Sequence, residues 1–184
     1  NLGDNPLYRI PSMDGLIKEQ PDVMINLSAS PFDYTHIEDR KANIKANVIK
    51  YKIPLLYCNT VGSQTEIVFD GGSMVFDKDA NLISEGRYFE EDFIEVNLNE
   101  DGSFDERISA HSNDIPLEEL NPLMYDAQLH TERIYNAILL GVKDYFSKMG
   151  FKKAILGSSG GIDSAVVLAI ACDALGAENV HALL

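Results

Sequence analysis

A glycine-rich turn between an apolar run and a helical stretch constrains this chain more than any other feature of its sequence. Residues 154–156 form an apolar run that predicts a short buried strand, and residues 164–175 predict a helix. Because glycine has no Cβ, the backbone between them can turn sharply and leave free N–H groups at the positive end of the helix dipole. A row of such N–H groups binds anions, and phosphate is the usual one.

The sequence of this turn does not match two other kinds of phosphate-binding loop. The P-loop requires a Lys-Ser/Thr pair after its last glycine, whereas Gly161 is followed by Ile162 and Asp163. The dinucleotide fingerprint Gly-x-Gly-x-x-Gly does not fit the spacing of Gly157, Gly160 and Gly161. A carboxylate beside a phosphate is repulsive unless a divalent cation lies between them. Asp163 is therefore a candidate Mg²⁺ ligand.

The six residues 159–164, Ser-Gly-Gly-Ile-Asp-Ser, resemble the pyrophosphate loop of the ATP-pyrophosphatase families. Those enzymes cleave ATP between its α- and β-phosphates and form an adenylated intermediate. The resemblance implies an ATP-binding loop made of Gly157, Ser158, Ser159, Gly160, Gly161, Ile162, Asp163 and Ser164, with Asp163 as the metal ligand. The alternative interpretation is an ordinary glycine-rich turn between a strand and a helix, with Asp or Ser as a cap.

Charge and composition exclude several classes of partner. The formal net charge of −14 argues against a nucleic-acid surface, and no apolar run reaches the ~18–20 residues of a membrane helix. We therefore expect neither nucleic acid nor membrane as a partner, and a cytoplasmic location. The two cysteines, Cys58 and Cys172, lie far apart and have no metal-binding spacing. We predict that both are buried structural thiols in a reducing compartment.

Residues 1–98 are predicted to form part of an α/β layered domain. Apolar runs at residues 22–27 and 55–59 predict buried strands, and helical spacing begins at Ile37. Strands at 66–69, 73–76 and 82–84 are expected to form hairpins, with Asp70 in a turn before two glycines. Alternation over residues 93–98 predicts one further strand.

The rest of the chain is predicted to contain a linker and the start of a second domain. Residues 99–130 are rich in acidic and small polar residues and are interpreted as an acidic linker. From residue 131 to residue 184 we predict an amphipathic helix followed by one β-α-β unit, which requires a parallel sheet. One crossover does not make a stable sheet, so we expect the second domain to be truncated and both ends of the chain to be cuts. The predicted apolar stripe of the helix is Ile134, Ile138, Val142, Tyr145 and Met149.

Three motifs in the first half narrow the family. Residues 26–32 (Asn-Leu-Ser-Ala-Ser-Pro-Phe), 59–62 (Asn-Thr-Val-Gly) and 69–73 (Phe-Asp-Gly-Gly-Ser) resemble the second half of a nitrilase-type glutaminase domain. Joined to the pyrophosphate loop, they resemble the glutamine-dependent NAD⁺ synthetases. The implied fold is the C-terminal half of a nitrilase-like α/β layered sandwich, followed by the first β-α-β unit of a Rossmann-like nucleotide-binding domain.

The resemblance implies a glutamine-hydrolysing ligase that uses ATP and Mg²⁺. In that family a cysteine, a lysine and a glutamate release ammonia from glutamine, and the ammonia amidates adenylated deamido-NAD⁺. The three glutaminase residues are expected upstream of Asn1, so we assign no catalytic residue here and expect the fragment to be inactive. Ser30 and His36 are expected to bind glutamine, although His36 replaces the usual basic residue and is a weaker partner for a carboxylate. The family also implies a homo-oligomer.

Two alternatives to this function stay open. One is another amidotransferase with the same loop, such as a GMP synthetase, which would change the acceptor. The other is a non-catalytic scaffold in which a degenerate nitrilase domain serves assembly. The remaining candidates have plainer interpretations: surface residues for His111 and His130, packing for His181, a turn for Asp70, and core or interface positions for Tyr135 and Tyr145.

Overall fold

The computed structural model describes residues 12–105 and 122–184, which form a mixed α/β structure. The α/β class predicted from the sequence is therefore confirmed. The helices are α1 (Ser12–Leu16), α2 (His36–Tyr51), α3 (Pro122–Met149) and α4 (Ile162–Leu175), and short 3₁₀ turns lie at Ile17–Glu19 and Ala177–Asn179. The strands are β1 (Met24–Ser28), β2 (Leu55–Asn59), β3 (Val61–Gln64), β4 (Ile67–Asp70), β5 (Met74–Phe76), β6 (Leu82–Glu85), β7 (Ala154–Gly157) and β8 (Val180–Leu183).

The larger sheet has the strand order β1-β2-β5-β6 and carries the core of the first region. Strands β1 and β2 are parallel, whereas β5 and β6 are antiparallel to their neighbours. Helix α2 connects β1 to β2. Its apolar side chains recur at helical spacing, and they therefore form one face that covers the sheet. Its residues Ile44 and Val48 are 1% and 0% exposed and pack in one cluster with Leu55, Met74 and Phe76.

A separate two-stranded sheet corrects one sequence prediction. Strand β4 pairs with β3, a strand that was not predicted from the sequence. It does not pair with β5, so the turn predicted at Asp70 is not the turn of a hairpin. The segment that follows instead carries the chain from one sheet to the other. Gly71 and Gly72 have φ values of +70° and +65°, a left-handed conformation that glycine adopts at little cost. The hairpin interpretation failed because the strand pairing depends on residues distant in sequence.

The second region contains the predicted β-α-β unit. Strands β7 and β8 are parallel, with a register from Ala154↔Val180 to Gly157↔Leu183. Helix α4 begins at Ile162, two positions before the predicted start, and is followed by Gly176 with φ +85°. No residue of α4 is buried, and Ile162 is 76% exposed. The unit therefore has the predicted topology but an uncovered surface.

Helix α3 lies between the two regions and contacts both. The carboxylate of Asp144 accepts a hydrogen bond from the Ser63 N–H at 2.7 Å, and Lys148 donates to the Ser63 carbonyl. On the other side, the Tyr135 hydroxyl donates to Asp173 of α4. Because α3 begins at Pro122, residues 122–130 of the predicted linker are helical. The division into domains otherwise stays a prediction, and His111 lies outside the described residues.

Other sequence predictions are wrong as well. Cys172 is only partly buried, and His181, which was expected to pack, is exposed. Cys58 is exposed and not buried, because β2 alternates and the side chain of residue 58 lies on the opposite face from Leu55 and Tyr57. Residues 93–98 form no strand: Phe93 is 84% exposed, and only Leu98 makes an isolated bridge, to Phe104. The alternation of apolar and polar residues in this segment did not predict a strand correctly, because a strand also needs a neighbouring strand with which to pair. Across the described parts of the chain, no helix has the length and apolar character needed to cross a membrane.

Candidate functional site

The loop at residues 157–164 joins β7 to α4 through an open turn. Gly157 ends β7, and Gly161 is the N-cap of α4. Gly160 between them has φ +76°, so the backbone turns there in a conformation that L side chains rarely adopt. A Cβ placed on Gly157 or Gly160 would meet no atom within 4 Å. The space above both glycines is therefore open to a ligand.

The serine hydroxyls of this loop are engaged mainly within it. The Ser164 hydroxyl donates to the Gly161 carbonyl at 2.9 Å, and the Gly161 N–H donates weakly to Ser159 Oγ at 3.4 Å. The Ser158 N–H is taken by the carbonyl of Leu183 in β8 at 2.7 Å. These contacts fix the shape of the turn. The donors left for an anion are the N–H groups in the first turn of α4, which have no partner within a helix.

Asp163 stands alone as a candidate metal ligand in this loop. It is exposed in the first turn of α4, where a carboxylate also interacts favourably with the helix dipole. Within residues 12–105 and 122–184 no group of three or more His, Cys, Asp or Glu side chains is arranged so that it could hold a metal ion. That arrangement fits Mg²⁺, which is commonly bound by one or two carboxylates together with substrate phosphates and water. It does not fit a metal held in an all-protein cage.

The predicted glutamine-binding residue Ser30 lies in a loop that is tied to the neighbouring strands. The Thr60 N–H and hydroxyl donate to the Ser28 carbonyl at 3.0 and 3.2 Å, at the end of β1. The Ser30 N–H donates to Asn59 Oδ1 at 2.9 Å. On the far side, the Phe32 N–H donates to the Val68 carbonyl at 2.7 Å. Both ends of residues 28–32 are therefore fixed by contacts with β2, β4 and the turn after β2.

A buried polar network lies behind this loop. Arg40 Nη2 contacts both carboxylate oxygens of Asp70, at 2.9 and 3.1 Å, and the two residues are 8% and 0% exposed. Asn59 Nδ2 donates to Asp70 Oδ1 at 3.1 Å and to the Gly71 carbonyl at 2.8 Å. The network is hereafter called the Arg40–Asp70–Asn59 network. The turn role predicted for Asp70 was wrong, because its carboxylate is the centre of this buried network.

Sequence reasoning missed Arg40 and Asn59, although one signal for Arg40 was available. The buried residues of α2 include Ile37 and Ile44, and Arg40 lies between them at helical spacing. A charged residue inside an apolar stripe is buried only when it has a partner. The pattern therefore called for a buried acidic partner, but nothing local in the sequence identified Asp70.

His36, the second predicted glutamine ligand, lies apart from Ser30 along the chain. It is the first residue of α2 and is exposed. Its N–H donates to the Asp33 carbonyl at 3.1 Å, and within the described residues no hydrogen bond joins it to Ser30. The hydroxyl and N–H of Thr35 both donate to the Asp33 carboxylate, which lowers the pKa of that carboxyl. The Asp33 carboxyl therefore accepts two hydrogen bonds from Thr35 in the segment between the two predicted glutamine ligands.

An open cleft of about 490 Å³ lies beside β2, outside both candidate loops. Its wall includes the thiol-bearing residue Cys58, together with Arg87 and Phe93. Neither Ser30 nor His36 lines it, and no residue from 157–164 does. The cleft therefore lies apart from the predicted ligand contacts, although Asn59 and residues 71–73 of the first-half motifs line it.

Comparison with known proteins connects the two halves of the chain. Residues 134–184 match the NAD synthase family model. Over 95% of its length the chain is 34% identical to the glutamine-dependent NAD(+) synthetase of Thermotoga maritima, and it covers 33% of that protein. It is 36% identical over 96% of its length to the corresponding synthetase of a Synechocystis species, covering 29% of it. The chain thus spans about a third of the length of these relatives.

A solved structure gives the same result. The glutamine-dependent NAD⁺ synthetase from Acinetobacter baumannii, determined in complex with ADP, superposes with a TM-score of 0.78 at 29% identity. The match covers 96% of this chain and 31% of that protein. The synthetase of Cytophaga hutchinsonii, at 19% identity and a TM-score of 0.59, supports the fold alone. The chain is therefore related along nearly its whole length to a segment of the glutamine-dependent NAD(+) synthetases, and the family resemblance predicted from its motifs is confirmed.

Proposed function

We propose that the complete protein to which this chain contributes is a glutamine-hydrolysing NAD⁺ synthase. In this reaction ATP transfers AMP to the carboxylate of deamido-NAD⁺, and ammonia released from glutamine displaces the AMP to form the amide. The proposal concerns the complete protein, because the chain spans about a third of the relatives' length. The observation that carries it is the open turn around Gly160, at the N-terminus of α4 in a parallel β-α-β unit.

The chemistry that we assign to this turn is electrostatic. N–H groups in the first turn of α4 stabilise the negative charge that develops on pyrophosphate as it leaves. Mg²⁺, held by Asp163 and the phosphates, would supply further charge neutralisation there. We assign ATP binding to residues 157–164 and glutamine binding to Ser30 and His36. The nitrilase-like character of the first region, a homo-oligomeric state and a cytoplasmic location are parts of the same proposal.

The first test is the variant Asp163→Ala in the full-length protein. We expect Mg²⁺-dependent pyrophosphate release and NAD⁺ formation to fall at least about a hundredfold, because the loop would lose its metal ligand. Glutamine hydrolysis should persist, since Ser30 and His36 lie in the other region. The matched control is Glu178→Gln, an exposed acidic residue after α4. It should leave both activities unchanged.

The choice of acceptor separates this function from the remaining alternatives. Deamido-NAD⁺ and xanthosine monophosphate are offered in turn with ATP and ammonia. Amidation of deamido-NAD⁺ alone supports the proposal, and amidation of the purine nucleotide favours a GMP synthetase. Retained NAD⁺ synthesis in Asp163→Ala would contradict the metal assignment. Absence of any ATP-dependent amidation by the folded full-length protein would favour a scaffold.

A further inference from the structure

The buried network behind residues 28–32 holds the backbone of Ser30 through one side chain, Asn59. The amide oxygen of Asn59 accepts the Ser30 N–H at 2.9 Å. Asn59 is itself 6% exposed, so its amide is not free to exchange this contact for one with solvent. A bond to a backbone N–H sets the position of the main chain at residue 30. It leaves the Ser30 side chain available for a ligand.

The orientation of the Asn59 amide is set by its other partners. Its NH₂ group faces two oxygen acceptors, Asp70 Oδ1 at 3.1 Å and the Gly71 carbonyl at 2.8 Å. An amide oxygen turned toward those acceptors would be repelled by both, so the oxygen must face the Ser30 N–H. A third contact, from the Asn59 N–H to Ser73 Oγ at 3.1 Å, fixes the main chain at the end of β2.

Arg40 fixes the carboxylate on which Asn59 depends. Its Nη2 contacts both oxygens of Asp70, and its Nη1 donates to the Gly71 carbonyl at 3.3 Å. A buried ion pair of this kind is weak evidence for stability, because desolvation of the charges offsets much of their attraction. The ion pair instead fixes the position of the acceptors, because the Asp70 carboxylate and the Gly71 carbonyl each accept hydrogen bonds from both Arg40 and Asn59.

We propose that Asn59 is a positioning residue for glutamine binding, and that Arg40 and Asp70 hold it in place. This inference rests on the proposed function, in which Ser30 contacts glutamine. In this proposal Asn59 acts through the backbone of Ser30 and not by direct contact with glutamine. It sets the register of residues 28–32 relative to β2 and therefore the place at which the Ser30 side chain is presented.

The test compares Ser30→Ala, Asn59→Ala and Arg40→Lys in the full-length protein, with either glutamine or ammonia as the nitrogen donor. Ammonia bypasses the glutamine site, so only the glutamine reaction should change. We expect the KM for glutamine to rise about tenfold in Asn59→Ala, with ammonia-dependent synthesis unchanged within about twofold. Arg40→Lys keeps the charge but loses the fork geometry, and we expect a smaller rise of about threefold.

The matched control is Asn47→Ala, which removes an amide that donates within α2 to the Asn43 carbonyl at 2.8 Å. It should change neither reaction. If Ser30→Ala raises the KM for glutamine while Asn59→Ala and Arg40→Lys do not, the positioning role is overturned and the proposed function stands. If Ser30→Ala has no effect, the glutamine contact falls as well.

A structural role alone would give another result. Asn59→Ala would then lower glutamine-dependent and ammonia-dependent synthesis equally, together with the melting temperature, and that outcome also overturns the inference. Arg40→Lys keeps the test decisive if Asn59→Ala does not fold, because it retains a buried cation beside Asp70. A rise in its KM for glutamine at unchanged ammonia-dependent rate supports the positioning role, and an unchanged KM overturns it.

Discussion

The two candidate loops are held by contacts of very different range. In residues 157–164 the Gly161 N–H and the Ser164 hydroxyl find partners two and three residues away. In residues 28–32 the Ser30 N–H binds Asn59, 29 residues away. The surroundings differ in the same sense, since Asp163 is exposed whereas Asp70 is 0% exposed. Apart from the bond between the Ser158 N–H and the Leu183 carbonyl of β8, the first loop is held by contacts within itself, whereas the second is held by the protein around it.

This difference separates two ways of building a binding loop. A helix N-terminus binds phosphate with main-chain dipoles, so the correct backbone conformation is almost sufficient. A side-chain contact such as that proposed for Ser30 needs a defined position relative to other elements, and the buried network provides it. Substitutions far from Ser30 in sequence should therefore alter residues 28–32. For residues 157–164, only changes within the loop and in strands β7 and β8 should do so.

The largest effect is expected from Asp70→Ala, which leaves Arg40 buried without its anionic partner. Breaking a buried pair in this way typically costs about 3–5 kcal/mol. Hydrogen exchange should show the loss as a lower free energy of opening in β2, with the amides of β7 unchanged. Glu90→Ala is the control, because it breaks an exposed ion pair with Arg87 and should have little effect. Equal losses in β2 and β7 would show that the two regions are not independent.

The sequence predicted the local features of both regions well. The strand predicted at 55–59 is β2 (Leu55–Asn59), and the parallel β-α-β unit around α4 is present. These features follow from hydrophobic period and from glycine, and both are properties of neighbouring residues. The turn conformation at Gly160 belongs to the same class, since the positive φ needs no distant partner.

The sequence could not predict contacts that depend on pairing across the fold. Arg40 and Asp70 lie 30 residues apart, and Asn59 joins them from a third element. No local pattern shows whether Asp70 is buried or lies in an exposed turn, because an Asp before two glycines is compatible with either. The exposure of Cys58 was missed for a related reason: a short apolar strand does not show which of its faces is covered.

A glycine substitution made in each region compares them directly. Gly72 and Gly160 have similar φ values, +65° and +76°, so alanine at either position costs about 1–2 kcal/mol of backbone strain. A Cβ on Gly72 would also overlap the ring of Tyr88, whereas one on Gly160 would meet nothing within 4 Å. Overpacking of this kind adds about 1–3 kcal/mol. Gly72→Ala should therefore be the more destabilising.

Thermal unfolding and hydrogen exchange of the two variants provide the measurement. Gly15→Ala is the control, since it has neither a positive φ nor a neighbour within 4 Å and should be neutral or slightly stabilising. ATP affinity should fall in Gly160→Ala and stay unchanged in Gly72→Ala. Similar stability losses at positions 72 and 160 would show that the space above residues 157–164 is not open.

The smallest effect is expected from Thr35→Val, which tests a local contact inside the first region. Thr35 lowers the pKa of Asp33, chiefly through its hydroxyl, and Ser103 lowers the pKa of Asp101 in the same way. A carboxyl whose pKa is lowered on folding stabilises the protein above its unfolded pKa, and this contribution is lost as the pH falls through the folded value. Any stability difference between wild type and Thr35→Val should therefore disappear in acid.

Titration of the carboxyl groups by NMR tests this last contact without relying on stability. In Thr35→Val the pKa of Asp33 should rise toward its ordinary value, because the hydroxyl donor is gone, while the pKa of Asp101 stays unchanged. Ser103→Ala should give the reverse pattern. If the pKa values of Asp33 and Asp101 both shift in either variant, such local pairs respond to the wider fold. The contrast between local and distant contacts would then fail within the first region itself.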